Sequence, residues 1–266
     1  MCHVPAVVLS RRVDDPVTDN LWNRVRFRKL CDRVVAISDG IYSVLIQAGV
    51  PKDRLSMVHS GIDMSQYSEQ RDRAWFESAL GIAQSEIAIG VVAQLIDRKG
   101  HAFLMRAMPE ILRRFPNCRV LFFGKGPAEG DLRKLADDLE LGDKLIFAGF
   151  REDMPRVYPN LDLLVHPALT EGLGVSLLQA ATSGVPIIAA KVGGIPEIVI
   201  DGQTGWLIPP SDTQAIETAV LSALGDPEEA KARAQNARAH VQANFSIDQM
   251  VEGNLRIYQE LLGARK

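Results

Sequence analysis

The segment Thr170–Glu171–Gly172–Leu173–Gly174–Val175 sets a carboxylate directly before the glycine-rich start of a helix. The first turn of a helix has backbone N–H groups with no partner inside it, and the helix dipole adds positive potential there, so a diphosphate gains most at that place. The N–H groups of Gly172, Leu173, Gly174 and Val175 are therefore candidate anion ligands, with Glu171 as a carboxylate beside the phosphate site. Glu171 reads equally as an ordinary helix-capping acid. Gln179 follows eight positions later, about two helical turns, which faces it the same way and within reach of a ribose hydroxyl. Its plain reading is a solvated helix residue.

A second cluster, Gln94–Leu95–Ile96–Asp97–Arg98–Lys99–Gly100–His101, follows the apolar run Ile87–Val92. Lys99 can neutralise a leaving diphosphate, although a lone lysine is more often a solvated charge. A third cluster, Gly124–Lys125–Gly126–Pro127, joins the strand-like Arg119–Phe123 to a helix beginning near Glu129. Glycines there let a backbone approach a phosphate or ribose. The turn fits a plain tight turn as well, and it lacks the third glycine of the dinucleotide fingerprint. That lack counts against a nicotinamide-dependent oxidoreductase. His101 and His166 read as a helix-start surface residue and a strand-end packing residue, and neither is assigned a catalytic role.

Elements that could position these clusters are legible in the hydrophobic pattern. Val4–Leu9, Arg33–Ile37, Leu55–His59, Ile87–Gln94, Arg119–Phe123, Lys144–Phe147, Leu161–His166 and Pro186–Ala189 read as strands alternating with amphipathic segments, the signature of parallel α/β layers. Ser38 caps a helix through Gln47, and Gly100 to about Phe115 forms another with Phe103, Leu104, Ala107, Met108, Ile111 and Leu112 on one side. Ala215–Leu224, Pro227–Asn244 and Ile247–Leu262 read as three terminal helices. Strands from Ile87 to about Ala189 are expected to form one doubly wound sheet. The first sixty residues hold about three strands, too few to complete such a sheet of their own. A polar stretch from Ser65 to about Arg73 marks the boundary, so the expected division is 1–63, 64–245 and 246–266.

At 266 residues, 47% hydrophobic and 24% charged with a net charge of -3, the composition suits a globular protein and argues against a nucleic-acid binder. Apolar runs are strand-sized, and Met1–Cys2–His3 leads straight into a strand-like run without the zones of a secretory signal, so the expected location is the cytoplasm. Cys2, Cys31 and Cys118 are odd in number and form no CxxC pair, which fits reduced thiols and gives no zinc framework.

Taken together the clusters resemble glycosyltransferase family 4, retaining transferases of the two-domain GT-B fold. The likeness runs through Val34–Ser38, Val58–Asp63, Leu95–Gly100, Phe123–Pro127, Gly149–Phe150, Thr170–Ala180, Val192–Glu197 and Gly202–Leu207, in the family's order. Ser246–Leu262 also resembles the family's closing helix, which packs back on the N-terminal domain. The resemblance implies a complete C-terminal Rossmann-like domain with a remnant of the N-terminal, acceptor-side one. It implies a nucleotide diphosphate sugar as donor, no metal or other cofactor, and a sugar, lipid-linked or polysaccharide acceptor. An acceptor of the lipid-linked kind would bring peripheral contact with the inner membrane face. By the same resemblance Lys99 and Glu171 act in catalysis, while Gln94, Arg98, Gly126, Phe150, Gly172, Leu173, Gly174, Val175 and Gln179 line the donor site, with Phe150 near the base. Gln94 stands where the family usually has arginine, and Gln179 where it has a second glutamate, so each position loses a charge. The alternatives are a non-catalytic nucleotide-sugar-binding module that works with a separate N-terminal domain or by self-association, and a sugar-nucleotide epimerase of the same fold.

Overall fold

The computed structural model describes residues 4–13, 17 and 20–263; Met1–His3, and with them Cys2 and the reading of the N-terminus, lie outside the described residues. A first parallel sheet holds β1 (Val8–Arg11), β2 (Arg33–Ala36) and β3 (Leu55–Met57) in that order, connected by α1 (Leu21–Val25) and α2 (Asp39–Gln47). After α3 (Arg73–Leu80) the chain enters a second sheet through β4 (Ile87–Val92), α4 (His101–Arg114), β5 (Cys118–Phe123), α5 (Glu129–Asp138) and β6 (Leu145–Gly149). It continues through α6 (Met154–Val157), β7 (Leu163–His166), α7 (Val175–Thr182), β8 (Ile187–Ala190), α8 (Ile195–Ile198) and β9 (Trp206–Ile208). The last elements are α9 (Thr213–Gly225), α10 (Pro227–Asn244) and α11 (Ile247–Gly263).

The second sheet has the order β6-β5-β4-β7-β8-β9, all parallel. Renumbered from β4 this is 3-2-1-4-5-6, the doubly wound order, whose direction reverses between β4 and β7. Alternate residues of each strand serve opposite faces. Ile89, Val91, Val120, Phe122, Leu163 and Val165 join one core with Leu104, Met108, Ile216 and Val220 of α4 and α9. Ala88, Leu121, Phe123 and Leu164 join the other with Leu177, Leu178, Ala237 and Val241 of α7 and α10. Burial on both faces explains why these strands read as nearly continuous apolar runs.

Two expectations change. β1 begins at Val8 rather than Val4, because Pro5 has no N–H to give a ladder and Val4 is 61% exposed. The sheet also gains β9, three residues long and paired with β8 through Ile188 and Trp206, too short for its pattern to stand out. Val35, Val58 and Ile257 form a separate small core through which α11 packs on the first sheet. Cys31 and Cys118 are buried free thiols, and burial pushes Cys118 up to about 12. Among the described residues no helix is long and apolar enough to cross a membrane.

Candidate functional site

Ligands of open α/β sheets bind outside the carboxyl ends of the strands where the order reverses, which here means the loops after β4 and β7. The loop after β4 winds a short turn, Asp97–Lys99, that ends at Gly100 with φ of 71°. A Cβ on Gly100 would sit 1.9 Å from the Pro167 carbonyl oxygen, so only glycine lets the two loops touch. The Leu169 N–H then donates to the Arg98 carbonyl at 2.8 Å.

This contact delivers Lys99 to Glu171, with Nζ 2.6 Å from Oε2. His166, the last residue of β7, donates from Nε2 to the same oxygen at 2.8 Å, and Oε1 accepts the Gly172 N–H at 3.1 Å. Burial alone would raise the Glu171 carboxyl. The hydrogen bond from His166 and the electrostatic pull of His166 and Lys99 outweigh it and hold the group at about 2. Lys99 and Glu171 are therefore largely withdrawn from solvent: their side chains are 10% and 15% exposed.

His166 is the residue that sequence reading missed. Its one signal was its place at the end of the strand before the Glu171 loop. His101 is corrected too: it is buried rather than on the surface, edge-on to Phe122 at 4.8 Å, and neither ring nitrogen has a partner among the described residues. Burial, with His166 and Lys99 nearby, pushes it down to about 4, as suits a neutral packing residue.

The remaining candidates lie on the same edge of the sheet, except for changes at α7. That helix starts at Val175, capped by Gly174, whose carbonyl accepts the Leu177 N–H at 2.9 Å. Gly172 and Leu173 precede it and are buried, so the first helical turn offers the N–H groups of Val175 and Ser176. Glu171 lies outside the helix, and counting two turns from it to Gln179 does not apply. Gln179 is not a solvated residue: it is half-buried, and its Oε1 accepts the hydroxyl of the buried Tyr158 at 2.8 Å. A Cβ on Gly126 would meet the Leu95 carbonyl at 2.2 Å, and Leu95 N–H donates to the Lys125 carbonyl at 3.1 Å. The glycine turn after β5 thus braces the loop after β4. Gln94 is exposed, Arg98 is half-buried, and Phe150, 66% exposed, follows β6 directly.

The first sheet walls this crevice. The Ser38 hydroxyl at the start of α2 donates to the Gly172 carbonyl at 2.6 Å. Glu197 of α8 accepts the Asp39 N–H at 2.8 Å on one oxygen and meets His59 Nε2 at 2.8 Å with the other. The Asp39, His59 and Glu197 ligand atoms lie within 4.8 Å of one another, but both Glu197 oxygens already have partners, so the group works as a clamp between the two sheets. A separate cavity of about 430 Å³, lined by Arg71, Leu161, Ser183 and Lys231, opens beside the residues at the amino ends of the strands and is remote from Lys99.

A family model described as glycosyl transferases group 1 matches residues 72–240. The chain is 33% identical over 211 residues to a GDP-mannose-dependent alpha-(1-6)-phosphatidylinositol monomannoside mannosyltransferase of Mycolicibacterium smegmatis, covering 76% of this chain and 55% of that one. It is 33% identical over 242 residues to a D-inositol 3-phosphate glycosyltransferase of Nocardia farcinica, covering 87% and 53%. The chain thus spans about half the length of the curated relatives it matches. Among solved structures, Anabaena Alr3699/HepE in complex with UDP and glucose superposes with a TM-score of 0.83 at 24% identity, over 96% of this chain and 71% of that one.

Proposed function

Since the chain belongs to the group 1 glycosyl transferases, with their GT-B type of α/β fold, we propose that it binds a nucleotide diphosphate sugar in the crevice between the β4 and β7 loops. In its whole protein it transfers that sugar, with retention, to a sugar, lipid-linked or polysaccharide acceptor. The observation that carries this reading is the Lys99–Glu171 pair, 2.6 Å apart beside the open first turn of α7.

Lys99, with Arg98, and the N–H groups leading into α7, from Leu173 to Val175 and on to Ser176, hold the diphosphate, while the Gly172 N–H stays on Glu171. As the anomeric bond breaks, charge builds on that diphosphate, and fixed cations and oriented N–H groups stabilise it without a metal. Glu171 binds hydroxyls of the transferred sugar. Phe150 and Gly126 line the base side, and the Gln179 amide, already anchored on Tyr158, reaches the ribose. Gln94 contributes polarity but no charge. Support for a nucleotide sugar comes from the relatives: the Mycolicibacterium enzyme is named as GDP-mannose-dependent, and the Anabaena protein was solved with UDP.

The test is a thermal-shift titration with UDP, GDP, UDP-glucose and GDP-mannose, because a ligand that binds only the folded state raises its melting temperature. Stabilisation by one nucleotide family is the expected outcome and names the base. A cooperative transition unmoved by all four sinks the donor site. Binding without sugar transfer or hydrolysis marks the other reading, a nucleotide-sugar-binding chain that depends on a partner domain.

A further inference from the structure

Glu171 Oε2 accepts from both Lys99 and His166, whereas among the described residues Oε1 accepts only the Gly172 N–H. A carboxylate oxygen offers about two lone-pair sites, so Oε2 is filled and Oε1 keeps one for a further donor. The two donors on Oε2 differ in freedom. Lys99 carries a compact ammonium on a flexible stem, and in the donor complex proposed above it also serves the diphosphate. His166 has no second partner to serve, since it is 2% exposed and its Nδ1 is buried without a hydrogen bond among the described residues. Because a carboxylate oxygen only accepts, the bond to Glu171 places a ring proton on Nε2.

We propose that His166 is the positioning residue of the sugar end of this site: its Nε2–H locks Glu171 in one rotamer while Lys99 turns to the diphosphate, and the hydroxyl of the transferred sugar docks on Glu171 Oε1. This rests on the reading of Glu171 as the sugar-binding carboxylate. His166 itself touches no substrate. The arrangement divides the donor between two holds, the diphosphate on Lys99 and the start of α7, the sugar on the His166–Glu171 pair. Removing the imidazole should therefore spare the nucleoside diphosphate and loosen only the sugar.

The experiment is calorimetric titration of the wild-type protein, His166→Leu and His166→Gln with UDP, UDP-glucose, GDP and GDP-mannose. The wild type is expected to bind one sugar-bearing nucleotide more tightly than its matching diphosphate. His166→Leu should keep the diphosphate affinity within about twofold and lose roughly tenfold for the sugar-bearing form, the size of one hydrogen bond to a charged group. His166→Gln, whose amide N–H has a similar reach, should recover most of that loss. If His166→Leu does not melt cooperatively, the comparison is made with His166→Asn, which keeps a polar group but is too short to reach Glu171. A variant without the N–H that keeps the full gain from the sugar, or one that loses both ligands equally, overturns the proposal. A wild type that binds diphosphate and sugar nucleotide alike overturns the role given to Glu171, and one that binds neither overturns the donor site itself.

Discussion

Glu171 shows how far one side chain's environment can move its chemistry. Its side chain is 15% exposed, a setting that by itself favours the neutral acid, yet His166 and Lys99 keep it ionised at about 2 against an ordinary value of 4.5. A carboxylate whose folded value lies below its unfolded one stabilises the fold fully above the unfolded value and loses that contribution as pH falls through the folded one. Here the window runs from about pH 4.5 down to about pH 2, and the shift corresponds to roughly 3 kcal/mol. Glu171→Gln is expected to flatten the acid limb of the stability curve in that window, measured by urea unfolding at successive pH values. Equal acid limbs in the two proteins would falsify the pairing. The same pair accounts for why Lys99, whose plain reading in the sequence is a solvated charge, is largely withdrawn from water.

At the scale of elements, the crevice depends on how α2 and α8 are held together. Glu197 caps the start of α2 through the Asp39 N–H and binds His59, which follows β3. The hydrogen bond to Glu197, helped by the charges of Glu197 and Asp39 and opposed by burial, raises the His59 value above its ordinary 6.5. A histidine raised on folding contributes its full stability below the unfolded value and loses it as pH rises through the folded one. Clamp strength is thus expected to be highest below about pH 6.5 and to fall on the alkaline side. Hydrogen exchange at the first turn of α2, followed from about pH 5.5 to about pH 8.5 across that titration, should speed up in the wild type beyond the intrinsic change. In His59→Asn the extra acceleration should vanish, and its persistence there would assign it elsewhere. Neither His59 nor Glu197 was legible as a pair in the sequence, since 138 positions separate them and only the docking of two sheets brings them together.

At the scale of the whole molecule, the chain returns through α11 to the first sheet, where Ile257 packs with Val35 and Val58. An adjoining face of that helix carries Ile247, Val251, Leu255, Tyr258 and Leu262, all more than 40% exposed and spaced as one stripe. Trp22 and Leu30 are exposed as well. An apolar surface of this extent promotes association, so the protein alone is expected to self-associate with rising concentration, and Leu255→Glu to weaken this, both followed by light scattering. A monodisperse monomer at every concentration tested would remove that expectation. What the sequence by itself determined was the α/β alternation, most strand and helix positions and the glycine-rich loops, because period, capping and positive-φ demands are local and are written in neighbouring residues. The meeting of Lys99, His166 and Glu171, the inward turn of His101 and the Glu197 clamp were decided only by the tertiary structure. They follow from the reversal of strand order that sets β4 beside β7 and from the contact between sheets, and such long-range pairings leave no trace in local pattern.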